Sequence, residues 1–175
     1  MSDNFIMNNI ITKIYFDLDG VLADFEGGVR TLCGMTPQPQ GKAKPEYEDK
    51  LWAAAKAVGH FYDKLDVLSD GKKLFDTIYA MMPEKCEILT GIPRPSRNIV
   101  TAAEDKINWV RRNLSKTIPI HTVMRRDKPL YCTGKDCILI DDFDENVNLW
   151  NNAGGIGILF TNAEEVLHKI KNILQ

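Results

Sequence analysis

The chain has 175 residues, which suits one domain or a core domain with a small insertion. Its 44% hydrophobic and 26% charged residues are ordinary for a soluble globular protein, and no apolar run reaches the ~20 residues that span a bilayer. A formal net charge of -2 supplies no basic footprint for a nucleic-acid backbone, although the cluster RRDK at 125–128 could meet a small anion.

The opening stretch, MSDNFIMNNIIT, lacks the basic segment and long apolar run of a signal peptide, so a cytoplasmic protein is expected. Cys33, Cys86, Cys132 and Cys137 contain no CxxC pair. They read as free thiols in a reducing compartment, and no second pair or histidine cluster completes a zinc site around Cys132 and Cys137.

In chain order, KIYFDLD (13–19) reads as a first buried strand. From Val21 to about Leu68 the pattern changes. A Pro/Gly/Gln-rich segment, TPQPQGKAKPEY, precedes a helix, EDKLWAAAKAVG, closed by Gly59. Some fifty residues exceed a simple connection, so residues 21–68 read as a small helical insertion within a core made of 1–20 and 69–175. A helix around GKKLFDTIYAMM (71–82) returns the chain to a second strand, CEILTG (86–91).

Next comes TAAEDKINWVRRNL, with Thr101 and Glu104 in capping-box spacing and Ala103, Ile107, Val110 and Leu114 as its expected core face. PIHTVM (119–124) is a weaker strand and CILIDD (137–142) a strong one. DENVNLWNNAGG is a helix with Asp144 as expected N-cap and Gly154 or Gly155 as its stop. After the strand GIGILFT (155–161), TNAEEVLHKIKNIL repeats the capping box with Thr161 and Glu164, and Val166, Leu167, Ile170, Ile173 and Leu174 form its core face. Short apolar strands alternating with helices predict an α/β fold, a Rossmann-like three-layer core whose parallel sheet is covered on both faces.

In such sheets ligands bind beyond the carboxyl ends of the strands. The strand ends here carry Asp17 and Asp19, Thr90 and Gly91, and Asp141 and Asp142. Carboxylates crowded on one sheet edge repel one another unless a cation joins them. A donor set of oxygens without His or Cys favours a hard ion such as Mg²⁺. With a lysine and a hydroxyl, this set makes a receptor for a phosphate dianion. One aspartate can then attack phosphorus, while the other, two residues on, moves protons.

DLDGVLADF, ILTG, RRDK and LIDD, in that order, resemble the four motifs of the haloacid dehalogenase superfamily of phosphohydrolases. DGVLADFEGG followed by DKINWV, RRDK and IDD resembles the 5'(3')-deoxyribonucleotidases within it. The resemblance implies Asp17 as the nucleophile that forms an aspartyl-phosphate, and Asp19 as general acid/base that also gives its backbone carbonyl to Mg²⁺. It implies Thr90 and Lys128 as phosphate ligands, Asp142 as a metal ligand beside a supporting Asp141, and Phe25 near the nucleobase. Lys135, nearer strand four, stands as a rival to Lys128. The implied substrate is a nucleoside monophosphate, with no nucleic acid or membrane partner and a homodimer left open.

A phosphatase for another phosphoester, such as a sugar phosphate or a nucleic-acid end, is the nearest alternative. A receiver-type phospho-acceptor domain would also gather Asp, Thr and Lys at strand ends, but it lacks a cap and a second acid two residues past the acceptor. Trp52, Phe61 and Tyr62 read as core of the insertion, Lys106, Arg125 and Arg126 as solvated, and His60, His121 and His168 as surface or structurally satisfied.

Overall fold

The computed structural model describes residues 11–175, so the first ten residues, on which the reading of a missing signal peptide rests, lie outside the described residues. β1 (Lys13–Phe16), β2 (Cys86–Ile92), β3 (Ile120–Met124), β4 (Cys137–Asp141) and β5 (Ile156–Leu159) form one sheet in the order β3-β2-β1-β4-β5. Every pairing is parallel, with Phe16 opposite both Ile88 and Ile140.

Because successive side chains of a strand face opposite ways, Ile14, Phe16, Ile88, Ile140 and Ile158 share one face. They pack with α3 (Ser69–Met81), α4 (Ala102–Asn113) and α6 (Ala163–Leu174). Tyr15, Leu89, Cys137 and Leu139 take the other face, under Trp150 of α5 (Asp144–Asn152). These are the three layers the alternation of strands and helices predicts.

Three helix starts differ from expectation, each for a local reason. α4 buries Ala102, Asp105, Lys106, Trp109 and Val110, while Ile107 is exposed. Its inward face is turned by one residue from the expected one, because two of its buried positions are charged and find partners inside. The Thr101 hydroxyl donates to the Asp105 carboxylate at 2.9 Å and caps no backbone N–H. α5 has Phe143 at the cap position and Asp144 as its first helical residue; the Phe143 N–H donates instead to Asp141. α6 is capped by Asn162, whose side chain accepts from the Glu165 N–H at 2.9 Å, a contact worth about 1 kcal/mol. The Thr161 hydroxyl donates to the Glu165 carboxylate instead of to the backbone.

Between β1 and α3 the chain forms α1 (Phe25–Thr31), capped by Asp24, and α2 (Pro45–Val58), opened by Pro45. Val29, Leu51, Phe61, Tyr62 and Leu65 of this region belong to the same apolar cluster as Ile14 and Phe16. Polar ties reinforce the join. The Trp109 indole N–H donates to the Leu65 carbonyl at 2.7 Å, and Arg112 pairs with Asp63 at 2.8 Å. Arg97, beyond β2, holds both Glu48 and Asp49 of α2. α3 begins against β1's exit so closely that a Cβ on Gly71 would sit 1.7 Å from the Val21 carbonyl oxygen. Only glycine fits there.

Candidate active site

The strand order reverses at β1, which β2 flanks on one side and β4 on the other. Such a switch point opens a crevice at the carboxyl edge. β1 ends at Phe16, so Asp17, Leu18 and Asp19 leave the ladder there, the Asp17 N–H still bonded to the Ile140 carbonyl at 2.9 Å. Gly20 then turns with a φ of +75°, and a Cβ on it would lie 2.0 Å from an Asp142 carboxylate oxygen. Glycine therefore serves both the backbone conformation and the approach of Asp142.

Carboxylate oxygens of Asp17, Asp141 and Asp142 lie within 4.8 Å of one another. Asp141 is fully buried and saturated. One of its oxygens accepts from the Phe143 N–H and the Asn146 amide, and the other accepts from Asn146 and from Lys128 at 2.7 Å. Lys128, 2% exposed, also forms an ion pair with Asp17 Oδ1 at 3.0 Å. Burial favours its neutral amine, but the Asp17 and Asp141 carboxylates outweigh that and hold its pKa above the ordinary lysine value. Lys135 is exposed on the loop before β4. Of the two lysines, Lys128 is the one beside the aspartates.

Thr90 is completely buried near the end of β2, and its hydroxyl accepts from Lys106 at 2.9 Å. The same ammonium donates to Asp19 Oδ2 at 2.6 Å and lies 4.4 Å from the centre of the Tyr62 ring. The reading of Lys106 as a solvated helix residue is therefore corrected: it is 1% exposed and sits between two candidate site residues. Apolar periodicity treats a lysine as outward-facing, so it could not find this one. The usable signal was its place in DKINWV, three residues before a buried Trp109 on the same helical face.

Asp17, Asp19, Asp141 and Asp142 place four carboxylates here against the two ammonium groups of Lys106 and Lys128. If all are ionised, two negative charges remain. Asp19 Oδ1 is buried without a hydrogen-bond partner, and Asp17 Oδ1 meets only the Lys128 ammonium, a costly state for carboxylate oxygens. Burial, then Asp17, Asp141 and Asp19, push Asp142 up to about 8 against the pull of Lys128. Burial also raises Asp19, helped by Asp17 and opposed by Lys106. An all-oxygen donor set with orphaned lone pairs and two surplus negative charges fits a hard divalent cation.

Phe25 is half-buried at the start of α1, with ring centres of Phe61, Tyr62 and Trp52 at 5.6, 6.3 and 6.5 Å. Phe61 and Tyr62 are buried core, as expected for aromatics of a small helical insertion, while Trp52 is half-buried against them. His60 pairs with Asp105 at 2.7 Å, and His121 with Glu87 at 2.7 Å, so both are structurally satisfied. Arg125 lies 4.8 Å over the Phe143 ring, and the Arg126 side chain is 84% exposed.

Residues 9–172 match the family model described as "5' nucleotidase, deoxy (Pyrimidine), cytosolic type C protein". The chain belongs to this nucleotidase family. It is thus a phosphoric monoester hydrolase, built on the haloacid dehalogenase plan its strand-end motifs resemble. Among solved structures, a hydrolase from Pseudomonas syringae superposes with a TM-score of 0.52 at 15% identity, covering 93% of this chain and 99% of that one. That likeness concerns the fold. A structure described as a haloacid dehalogenase-superfamily hydrolase, from Ehrlichia chaffeensis, has a TM-score of 0.45 at 12% identity over 94% of this chain and 98% of its own. A search of curated proteins gave no match. No helix among the described residues is long and apolar enough to cross a membrane.

Proposed function

We propose that this protein hydrolyses nucleoside monophosphates, deoxy ones foremost, through an aspartyl-phosphate on Asp17 in a Mg²⁺-dependent reaction. The observation that carries the chemistry is the pairing of two unlike aspartates. Asp17 is buried and has the Lys128 ammonium 3.0 Å from its Oδ1, whereas Asp19, raised by burial, is suited to hold a proton. The family match supports the nucleotide class.

Asp17 attacks phosphorus and the ester bond to the leaving alcohol breaks, with Asp19 giving that oxygen its proton. Asp19 then takes a proton from the water that attacks the aspartyl-phosphate, which releases phosphate and frees Asp17. Thr90 and Lys128 hold the phosphoryl oxygens, and Lys106 fixes the orientation of both Asp19 and Thr90. Asp17, the Asp19 carbonyl and Asp142 would hold Mg²⁺, which supplies charge neutralisation for the phosphoryl group.

In this reading residues 21–68 form a cap over a core of 1–20 and 69–175, and exclude bulk water. Phe25 lies against the nucleobase, supported by the ring cluster around it. The protein acts in the cytoplasm, in keeping with the type named for its family.

The test is phosphate release from purified protein with Mg²⁺ over a panel of 5'- and 3'-nucleotides and sugar phosphates. Faster turnover of nucleotides than of sugar phosphates is expected. Good hydrolysis of sugar phosphates without release from any nucleotide would sink the substrate assignment.

A further inference from the structure

Of the four thiols, none of which this chemistry uses, two lie side by side. Cys132 follows directly on the turn Arg125–Tyr131 that carries Lys128, and Cys137 opens β4. Their sulfurs lie 3.4 Å apart on the face of the sheet opposite the main core. Cys137 is completely buried and its thiol donates to the Gly134 carbonyl at 3.0 Å; Cys132 is half-buried. Among the described residues the one group of three or more metal-ligating side chains is Asp17, Asp141 and Asp142, so nothing completes a metal site around the two sulfurs.

We propose that Cys132 and Cys137 are a reversible disulfide site whose closure displaces the Lys128 turn. A disulfide holds its sulfurs at about 2.05 Å, so the pair must close by roughly 1.4 Å from its present separation. The movement falls on Cys132. Cys137 is fixed in β4, where it pairs with Lys13 of β1, whereas Cys132 sits in a short loop. The Cys132 N–H donates to the Pro129 carbonyl at 3.1 Å, so the shift is passed to the residue next to Lys128. Meanwhile Asp141, at the far end of β4, stays in place, and the 2.7 Å contact between Lys128 and Asp141 loosens. This consequence rests on the phosphatase reading of the site; the disulfide itself does not.

The oxidant fitted to the step is a small disulfide of the glutathione type. Cys132, the reachable thiol, loses its proton, and its thiolate attacks one sulfur of the oxidant and expels a glutathione thiolate. Cys137, deprotonated in turn, attacks the Cys132 sulfur and expels the second. Two protein thiols become one disulfide, and the glutathione disulfide is reduced to two thiols, which carry the two protons.

The experiment uses the full chain in a Cys33→Ser background, incubated with glutathione disulfide and then mapped by mass spectrometry. The expected product is about 2 Da lighter and carries a cross-linked Cys132–Cys137 peptide. Adding Cys137→Ser should trap a glutathione adduct at Cys132. Phosphate release from p-nitrophenyl phosphate should fall about tenfold on oxidation and return with dithiothreitol, as expected for a displaced phosphate ligand. Both thiols remaining free to alkylation would overturn the disulfide. A cross-link that leaves activity unchanged would overturn its coupling to Lys128. A reduced protein inactive on every phosphomonoester would overturn the phosphatase reading together with that coupling, while the cross-link is still decided by mass.

Discussion

Lys106 Nζ lies 2.6 Å from Asp19 Oδ2 across a separation of 87 residues, with both groups largely shielded from water. The pair joins α4 to the exit of β1. The ammonium also works against the burial that raises Asp19. Replacing Lys106 by Gln should therefore lower kcat by about a hundredfold, the scale of losing one preorganised electrostatic contact. It should also move the alkaline limb of the kcat profile upward, since Asp19 would keep its proton to higher pH. Lys106→Arg should restore part of both. A lower kcat with an unmoved pH profile would show a merely structural role.

Asp17→Asn keeps the shape of the side chain and removes the attacking oxygen. Phosphate release should fall by at least about a thousandfold. In metal-free protein the same change removes one of four crowded carboxylates, so its thermal midpoint should not fall. Full activity in the variant would end the nucleophile assignment.

Asp142 gives a pH signature. Its folded pKa of about 8 lies above the ordinary carboxylate value. The folded state therefore holds a proton that the unfolded state has already released. Without metal, stability is greatest at the acid side of the window and declines as pH rises from about 4 to about 8. Asp19 and Asp141, also raised, act in the same direction. Mg²⁺ should reverse the slope by binding the ionised carboxylates. Thermal midpoints between pH 5 and pH 9, with chelator and with Mg²⁺, would check this. A flat profile with chelator would contradict it.

Phe25→Ala should raise KM for a nucleoside monophosphate about five- to tenfold, with little change for p-nitrophenyl phosphate, which has no base to stack. Equal effects on both substrates would place Phe25 in the packing of the insertion alone.

Gly20→Ala would force a left-handed backbone onto a residue with a Cβ, and that Cβ would strike the Asp142 carboxylate. Mg²⁺ activation should weaken by tenfold or more, read as the concentration giving half-maximal rate.

The sheet was legible because β-branched and aromatic runs such as IYF and ILI mark buried strands whatever surrounds them. The strand-end motifs were legible because they are local, with two aspartates separated by a single leucine and a glycine behind them. α4 was not. Its inward face carries Asp105 and Lys106, whose burial depends on Thr101, His60, Asp19 and Thr90, and the last three are distant in sequence or on other elements. A charge reads as solvated until its partner is known.

The capping boxes failed on the same principle at shorter range. Thr101 and Thr161 both spend their hydroxyls on carboxylates four residues ahead. The sequence by itself determined the parallel sheet, the order of its elements and which residues end its strands, because each follows from short-range pattern and steric preference. Only the tertiary structure decided which lysines meet which aspartates, and that two cysteines lie sulfur to sulfur. Those pairings depend on where β1, β4, α4 and the Lys128 turn come together in space.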